Sequence, residues 1–308
     1  MGQTAAERRK SALEGRAVME MTSRPLSQAG AADGAGMEAA KAVDGMTETS
    51  QQKLKTAGLE DTMSRQGLAA RVVQKLVDGA ESLNLKHSAV GNPAVYPTDD
   101  FPWAREVESE WRLIRAELDK ILVRKGELPA FHEISSEVRS ISSDQNWKTF
   151  FLCGYGIKSE EAIAQCPETW RILQKIPGLK SAMFSIFEPG KHLPPHRGPY
   201  NGVLRFHLGL VVPPEPDKIG IRVADRTCHW EEGKALIFDD AYEHEAWNHS
   251  DKVRVVLFVD FEKPLRFPAN VTNKAVLNLA VFTPFIREGY KAHKAWEKMF
   301  YGEGRKHR

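Results

Sequence analysis

Residues 181–264 read SAMFSIFEPGKHLPPHRGPYNGVLRFHLGLVVPPEPDKIGIRVADRTCHWEEGKALIFDDAYEHEAWNHSDKVRVVLFVDFEKP. Six runs in this stretch, SAMFSIF, VLRFHLGLVV, KIGIRVAD, KALIFDD, YEHEAWN and KVRVVLFVDF, are short and rich in Val, Ile, Phe and Leu. Gly, Pro and Asp separate them, and apolar residues recur with a period of two, the signature of strands. Six strands packed into roughly 80 residues predict an antiparallel sandwich or barrel.

Working outward, the period changes. FPWAREVESEWRLIRAELDKILVRK, residues 101–125, has Pro102 near its start and Val107, Trp111, Ile114, Leu118 and Ile121 at helical spacing, which predicts one helix. A second helix is expected over Thr169–Lys175, ended by Pro177-Gly178. After Pro264 the spacing is helical again, with nine Lys/Arg against three Asp/Glu interleaved with Leu277, Phe282, Phe285, Ile286, Trp296 and Phe300. Every Phe, Trp and Tyr lies at or after Tyr96. A segment without aromatics has little apolar surface to offset ordering entropy, so residues 1 to about 50 are expected to be disordered and 51–85 loosely helical, with Leu68, Val72, Val73 and Leu76 on one face. The expected organisation is therefore a 1–90 leading region, a 91–265 folded domain and a 266–308 basic amphipathic tail.

The 308 residues carry a formal net charge of +2, which gives no global drive towards nucleic acid. No apolar run is long enough to cross a membrane as a helix. The start MGQTAA has no apolar signal core and puts Ala6 where a myristoylation pattern wants Ser or Thr. Cys153, Cys166 and Cys228 cannot all pair and show no C-x-x-C spacing, so neither a disulfide framework nor a cysteine zinc site is expected. The default setting is cytoplasmic.

His196 follows Pro194-Pro195, and His244 lies in FDDAYEHEAWN, just after a strand that ends in two aspartates. Two histidines from separate strands of a small barrel can converge on one ion, and neutral imidazole suits iron, zinc, copper or nickel. Arg205 and His207 are two apart in a strand and point to one face, with Leu204, Phe206 and Leu208 on the other. Arg254 interrupts another apolar strand. A charge inside a buried strand is costly unless paired. One reading is a site for a small dianion, since Arg binds carboxylates in bidentate fashion. The plainer reading is a structural pair, for instance Arg254 with Asp239 or Asp240.

The stretches FSIFEPGKHLPPHRGPYNGVLRFHLGLVVP, HWEEGKALIFDDAYEHEAWN and RVVLFVDFEKP together resemble the aspartyl/asparaginyl β-hydroxylase family. The resemblance implies a mainly β fold, a double-stranded β-helix (jelly roll, cupin-like) with flanking α-helices. It implies an Fe(II)-dependent dioxygenase with 2-oxoglutarate and O2 as cosubstrates, releasing succinate and CO2. His196 and His244 match the iron ligands. Arg254 and Ser185 match the groups that hold the far carboxylate of 2-oxoglutarate, and Arg205 and His207 match residues near its metal end. Most enzymes of the wider class carry a carboxylate two residues after the first histidine, where this chain has Gly198. The β-hydroxylases acting on Asp and Asn have glycine there too, with water in the vacant position, whereas a jelly-roll protein that binds 2-oxoglutarate or metal without catalysis is the alternative. Asp239 or Asp240 could hold a ligand histidine or such a water from outside.

TDDFPWAREVESEWRLIRAEL, NWKTFFLCGYG and CPETWRILQKIPGLKSAMF are similar to a bacterial branch that hydroxylates membrane-lipid acyl chains, the lipid A 2-hydroxylases and ornithine-lipid hydroxylases. The lipid A enzymes, however, resemble a His-Arg-Asp pattern at the metal and carry a membrane segment. The substrate is thus expected to be either a peptidyl Asp/Asn-like residue or a lipid acyl chain. The basic tail over 266–308 has two readings: peripheral contact with an anionic membrane at the inner face, or packing on the barrel with a solvated charged face.

Overall fold

Alternation along three long strands builds two cores from one sheet. In a computed structural model of the chain, which describes residues 73–135, 137–280 and 284–302, the strands are β1 (Val95–Tyr96), β2 (Trp147–Gly154), β3 (Ile157–Lys158), β4 (Leu179–Phe187), β5 (Lys191–His196), β6 (Val203–Val211), β7 (Ile219–Val223), β8 (Arg226–Cys228), β9 (Ala235–Phe238), β10 (His244–Asn248) and β11 (Arg254–Glu262). A seven-stranded sheet has the order β1-β9-β6-β11-β4-β2-β3, and a four-stranded sheet the order β5-β10-β7-β8, all antiparallel. From β4 onward the chain passes back and forth between the two sheets. This is a double-stranded β-helix, as the sequence reading expects.

On the helix-covered face of the large sheet lie Ala182, Phe184 and Ile186 of β4, Leu204, Phe206 and Leu208 of β6, and Val255, Leu257, Val259 and Phe261 of β11. The other face of the same strands, with Met183, Phe187, Val256 and Phe258, packs against Leu193, Ile221, Val223 and Ala246 of the small sheet. The intervening residues, Ser185, Arg205, His207 and Arg254, therefore fall on the inner, inter-sheet side.

The expected helix over 101–125 is two helices, Pro102–Ser109 and Trp111–Leu122, interrupted at Glu110. The Glu110 carboxylate instead receives Arg171 and Lys175, which ties the break to the Pro167–Leu173 helix. That helix starts earlier than its periodicity suggests, because buried Glu117 accepts the Glu168 and Thr169 backbone N–H groups at its N-terminus. β2 escapes a period-two reading because it is apolar on both faces.

The compact unit spans Lys75–Arg308. The expected disorder over 1–50 lies outside the described residues, as do 51–72. Residues 73–86 are helical. Within 266–308 the described residues form two helices, Ala269–Ala280 and Pro284–Gly302. In the helix Pro284–Gly302, Trp296 and Phe300 are buried in the helix-side core, and Trp296 Nε1–H donates to Glu127 O at 3.0 Å. On the same helix Lys291, Lys298 and Met299 are exposed.

Candidate active site

β5 and β10 are neighbours, and their register sets His196 directly opposite His244. The two rings are 4.2 Å apart, centroid to centroid. His196 Nδ1 lies 2.8 Å from Pro194 O, and His244 Nδ1 lies 3.0 Å from Tyr242 O. A carbonyl can only accept, so both rings carry their proton on Nδ1 and present a bare Nε2. Burial holds His196 down to about 4 and His244 well below the usual range, with the Arg205 charge acting in the same direction on both. Two neutral imidazoles, each oriented by a backbone carbonyl, form a donor pair suited to one metal ion. Among the described residues, no group of three His, Cys, Asp or Glu side chains is assembled to hold a metal ion.

Gly198 explains part of that. Its N–H donates to Asp240 O at 2.7 Å, and a Cβ on it would collide with the Asp240 carboxylate. The buried Asp240 carboxyl occupies the space where a side chain at 198 would go. Burial raises Asp240 to about 7, against the opposing pull of Arg205, and Asp260 and Asp239 add to the rise.

Arg205 and Arg254 both sit on the inner face, and their surroundings differ. Arg205 makes ion pairs with Asp240 at 2.8 Å and Asp260 at 2.9 Å, and its guanidinium lies 4.3 Å from the Phe258 ring centre. Asp260 is further held by Ser181 Oγ at 2.8 Å. The structural-pair reading offered for Arg254 thus applies to Arg205. Asp239 goes to Lys263, at 2.9 Å in a fully buried pair.

Arg254 has no carboxylate partner among the described residues, although it is only 1% exposed. Its guanidinium lies 3.7 Å from the Phe187 ring centre and 4.5 Å from that of Trp230. Its Nη1 reaches Ser185 O at a long 3.4 Å, and its Nε has no hydrogen-bond partner. With nothing to offset burial, its pKa falls to about 9. Around it are more unsatisfied groups: both ring nitrogens of His207, Trp230 Nε1 and Thr149 Oγ1. His207 is packed among Trp230, Phe238 and Phe258, and burial pushes its pKa far down. Ser185 Oγ accepts from Trp147 Nε1 at 3.0 Å, which leaves its own proton to give. Thr149 lies opposite Ser185 across the β2–β4 pair.

Folded proteins rarely leave buried donors unpaired. A cluster of them around a guanidinium with no carboxylate partner among the described residues has the chemistry to receive a small anion. The structure brings Ser185, His207 and Arg254 to this cluster, sets His196 and His244 side by side, and places Arg205 in a carboxylate clamp. Sequence reasoning did not single out Trp147, Thr149, Trp230 or Asp260. The only available signals were single polar or indole residues in apolar runs, and these are common in any core.

The model of the family described as aspartyl/asparaginyl beta-hydroxylase matches residues 108–264. The chain is 62% identical over 253 residues to an ornithine lipid ester-linked acyl 2-hydroxylase of Rhizobium tropici, covering 82% of this chain and 90% of that protein. It is 38% identical over 165 residues to the human aspartyl/asparaginyl beta-hydroxylase, covering 52% of this chain and 21% of the human protein. Among solved structures, a Pseudomonas putida prolyl-4-hydroxylase aligns with 50% of this chain and 87% of its own, at 17% identity and a TM-score of 0.35. This chain belongs to the aspartyl/asparaginyl β-hydroxylase family.

Proposed function

We propose that this chain is an Fe(II)- and 2-oxoglutarate-dependent dioxygenase that hydroxylates the acyl chain of a membrane aminolipid. The observation that carries the reading is Arg254, buried and without a carboxylate partner among the described residues, with His207 in electrostatic reach of both Arg254 and His244. A bound ferrous ion with 2-oxoglutarate would supply the oxidising power, with O2 delivering one oxygen to the substrate C–H bond and the other to succinate as CO2 leaves.

The residues present fit that group. His196 and His244 would hold the metal, with Nδ1–H bonds to Pro194 O and Tyr242 O fixing each ring. Arg254 and the Ser185 hydroxyl would take the far carboxylate, and the burial that lowers the arginine's pKa also strengthens its pairing with an anion. His207 would offer a ring nitrogen towards the metal end. Arg205, held between Asp240 and Asp260, would serve the same end. Phe187, Trp230, Phe238 and Phe258 would keep water from the reacting atoms. Asp240 fills the third-ligand space and would act on the metal through water.

Of the two substrate classes, the lipid is supported by identity over nearly the whole of a lipid-acyl hydroxylase, against a fifth of the length of the peptide hydroxylase. A lipid substrate would bring the protein to a membrane surface, and the cytoplasmic face is part of this proposal. Among the described residues no helix is long and apolar enough to cross a membrane.

The test is succinate release from 2-oxoglutarate with an aminolipid in detergent, together with mass spectrometry of the lipid. The expected result is iron-dependent gain of one oxygen on the acyl chain, reduced more than ~100-fold in His244→Ala. Turnover that survives removal of iron would end the reading. Binding of 2-oxoglutarate with no oxygen consumed under any lipid or peptide would favour the non-catalytic alternative.

A further inference from the structure

The loop that follows His196, residues 197–202, is gripped from two sides. Asn84, on the helix that ends at 86, donates to Asn201 Oδ1 and to Tyr200 OH, both at 3.0 Å. Asn273, on the helix Ala269–Ala280, donates to Gly202 O at 2.9 Å. The two segments are also joined to each other, since Arg266 N–H donates to His87 O at 2.8 Å and Arg266 Nη1 to Ser88 O at 3.0 Å. Both helices therefore flank the loop that leaves the candidate metal ligand.

The Ala269–Ala280 helix is apolar on two opposite faces. Ala269 and Leu277 are buried on the inner stripe, with Asn273 between them. Two residues along, Val271 and Leu279 are 60% and 64% exposed, and Phe267 just before the helix is 76% exposed. A helix on a soluble body normally shows water a polar face, and clustered exposed apolar side chains mark an interaction surface. Leu76, also exposed, adds to the set on the neighbouring helix. Over 75–88 and 265–280 the exposed charged side chains are Lys75, Lys86, Arg266 and Lys274, while the acids Asp78 and Glu81 are half-buried.

We infer that this face, Phe267, Val271 and Leu279 within a ring of Lys75, Lys86, Arg266 and Lys274, docks the protein on an anionic lipid bilayer. Large apolar side chains entering the acyl boundary, with Lys and Arg at headgroup level, are how a peripheral protein sits on a membrane. A second copy of the chain fits poorly, because the basic ring would face itself. The inference rests on the lipid-substrate reading and deepens it. It gives the route by which an acyl chain reaches the loop beside His196 without leaving the bilayer. It names a defined face rather than the whole basic tail, in which Trp296 and Phe300 are committed to the core.

The experiment is co-sedimentation of the full chain with phosphatidylcholine vesicles, with and without phosphatidylglycerol. Binding is expected on the anionic vesicles, weakening as salt rises. Phe267→Ser with Val271→Ser and Leu279→Ser should lower the partition by at least ~10-fold. Lys274→Glu with Lys86→Glu should lower it several-fold on anionic vesicles only. Both variants should keep wild-type succinate release on a short-chain, water-soluble acyl substrate, which shows that they are folded. Wild-type vesicle binding by the serine variant overturns the inference, as does absence of wild-type binding to either vesicle. Sedimentation of the wild type as a dimer that the serine variant abolishes assigns the face to a second copy and overturns it too. Because sedimentation needs no catalysis, vesicle binding without lipid hydroxylation would sink the substrate reading alone.

Discussion

Arg205 and Arg254 occupy the same face of the same sheet and lead opposite lives. The β6–β11 register sets Arg205 across from Asp260, and the β9–β10 loop brings Asp240 to its other side. The first residue of β11 is Arg254, across from Phe187, and what surrounds it is aromatic carbon and unpaired donors. The charge of the first arginine is met by two carboxylates of its own chain. The second meets no carboxylate among the described residues. A buried cation is informative about function to the extent that its own chain fails to neutralise it.

The sharpest way to break this distinction is to remove each guanidinium in turn. Arg205→Met leaves Asp240 and Asp260 buried and mutually repelling, and removing one member of a buried network typically costs ~3–5 kcal/mol. Urea denaturation should show a loss of that size. A change below about 1 kcal/mol would mean that Arg205 is not structural, and that the cosubstrate role the sequence assigns it is its main one.

Arg254→Met should do the reverse. The variant keeps the stem, removes an uncompensated buried charge, and should unfold at the same urea concentration as the wild type or a higher one. Affinity for 2-oxoglutarate, read by calorimetry with a redox-inert divalent metal, should fall ~100-fold, the scale of a lost charge-assisted bidentate contact. Equal losses of stability in the two variants would erase the contrast between the ends of the pocket.

Legibility in the sequence follows the same division. Period-two alternation in VLRFHLGLVV was enough to put Arg205 and His207 on one face and Leu204, Phe206 and Leu208 on the other. His196 and His244 could be paired because each closes or opens a strand beside turn residues. What could not be read is which acid goes to which base. Asp239 takes Lys263, Asp240 and Asp260 take Arg205, and Arg254 is left over; strand register sets the Asp260 pair and the loop after β9 sets the other two, between segments far apart in sequence. β2 was invisible to alternation because both its faces are covered. The amphipathic terminal helix announced an apolar face without saying whether protein or lipid would cover it. The core covers it, with Trp296 and Phe300.

The smallest expected signal is a slope rather than a step, and it sharpens the Arg205 end. Asp240 is held at about 7 in the fold, above the usual carboxylate value of 3.8. An acid whose pKa is higher folded than unfolded binds the extra proton in the native state, so its contribution to stability is fully present below about pH 4. That contribution is lost as pH rises towards and through 7. His196, held at about 4, works in the opposite sense over part of this window, because the unfolded chain takes up its proton first. The measurement is therefore a difference: the stability of the metal-free wild type minus that of Asp240→Asn, by urea denaturation at several pH values. The difference should fall steadily between about pH 4 and 7 and flatten above. A flat difference would mean that Arg205 keeps Asp240 ionised at every pH in the range. The carboxylate filling the space beside Gly198 would then be a permanent negative charge next to the two histidines, not a group that can gain or lose a proton near neutrality.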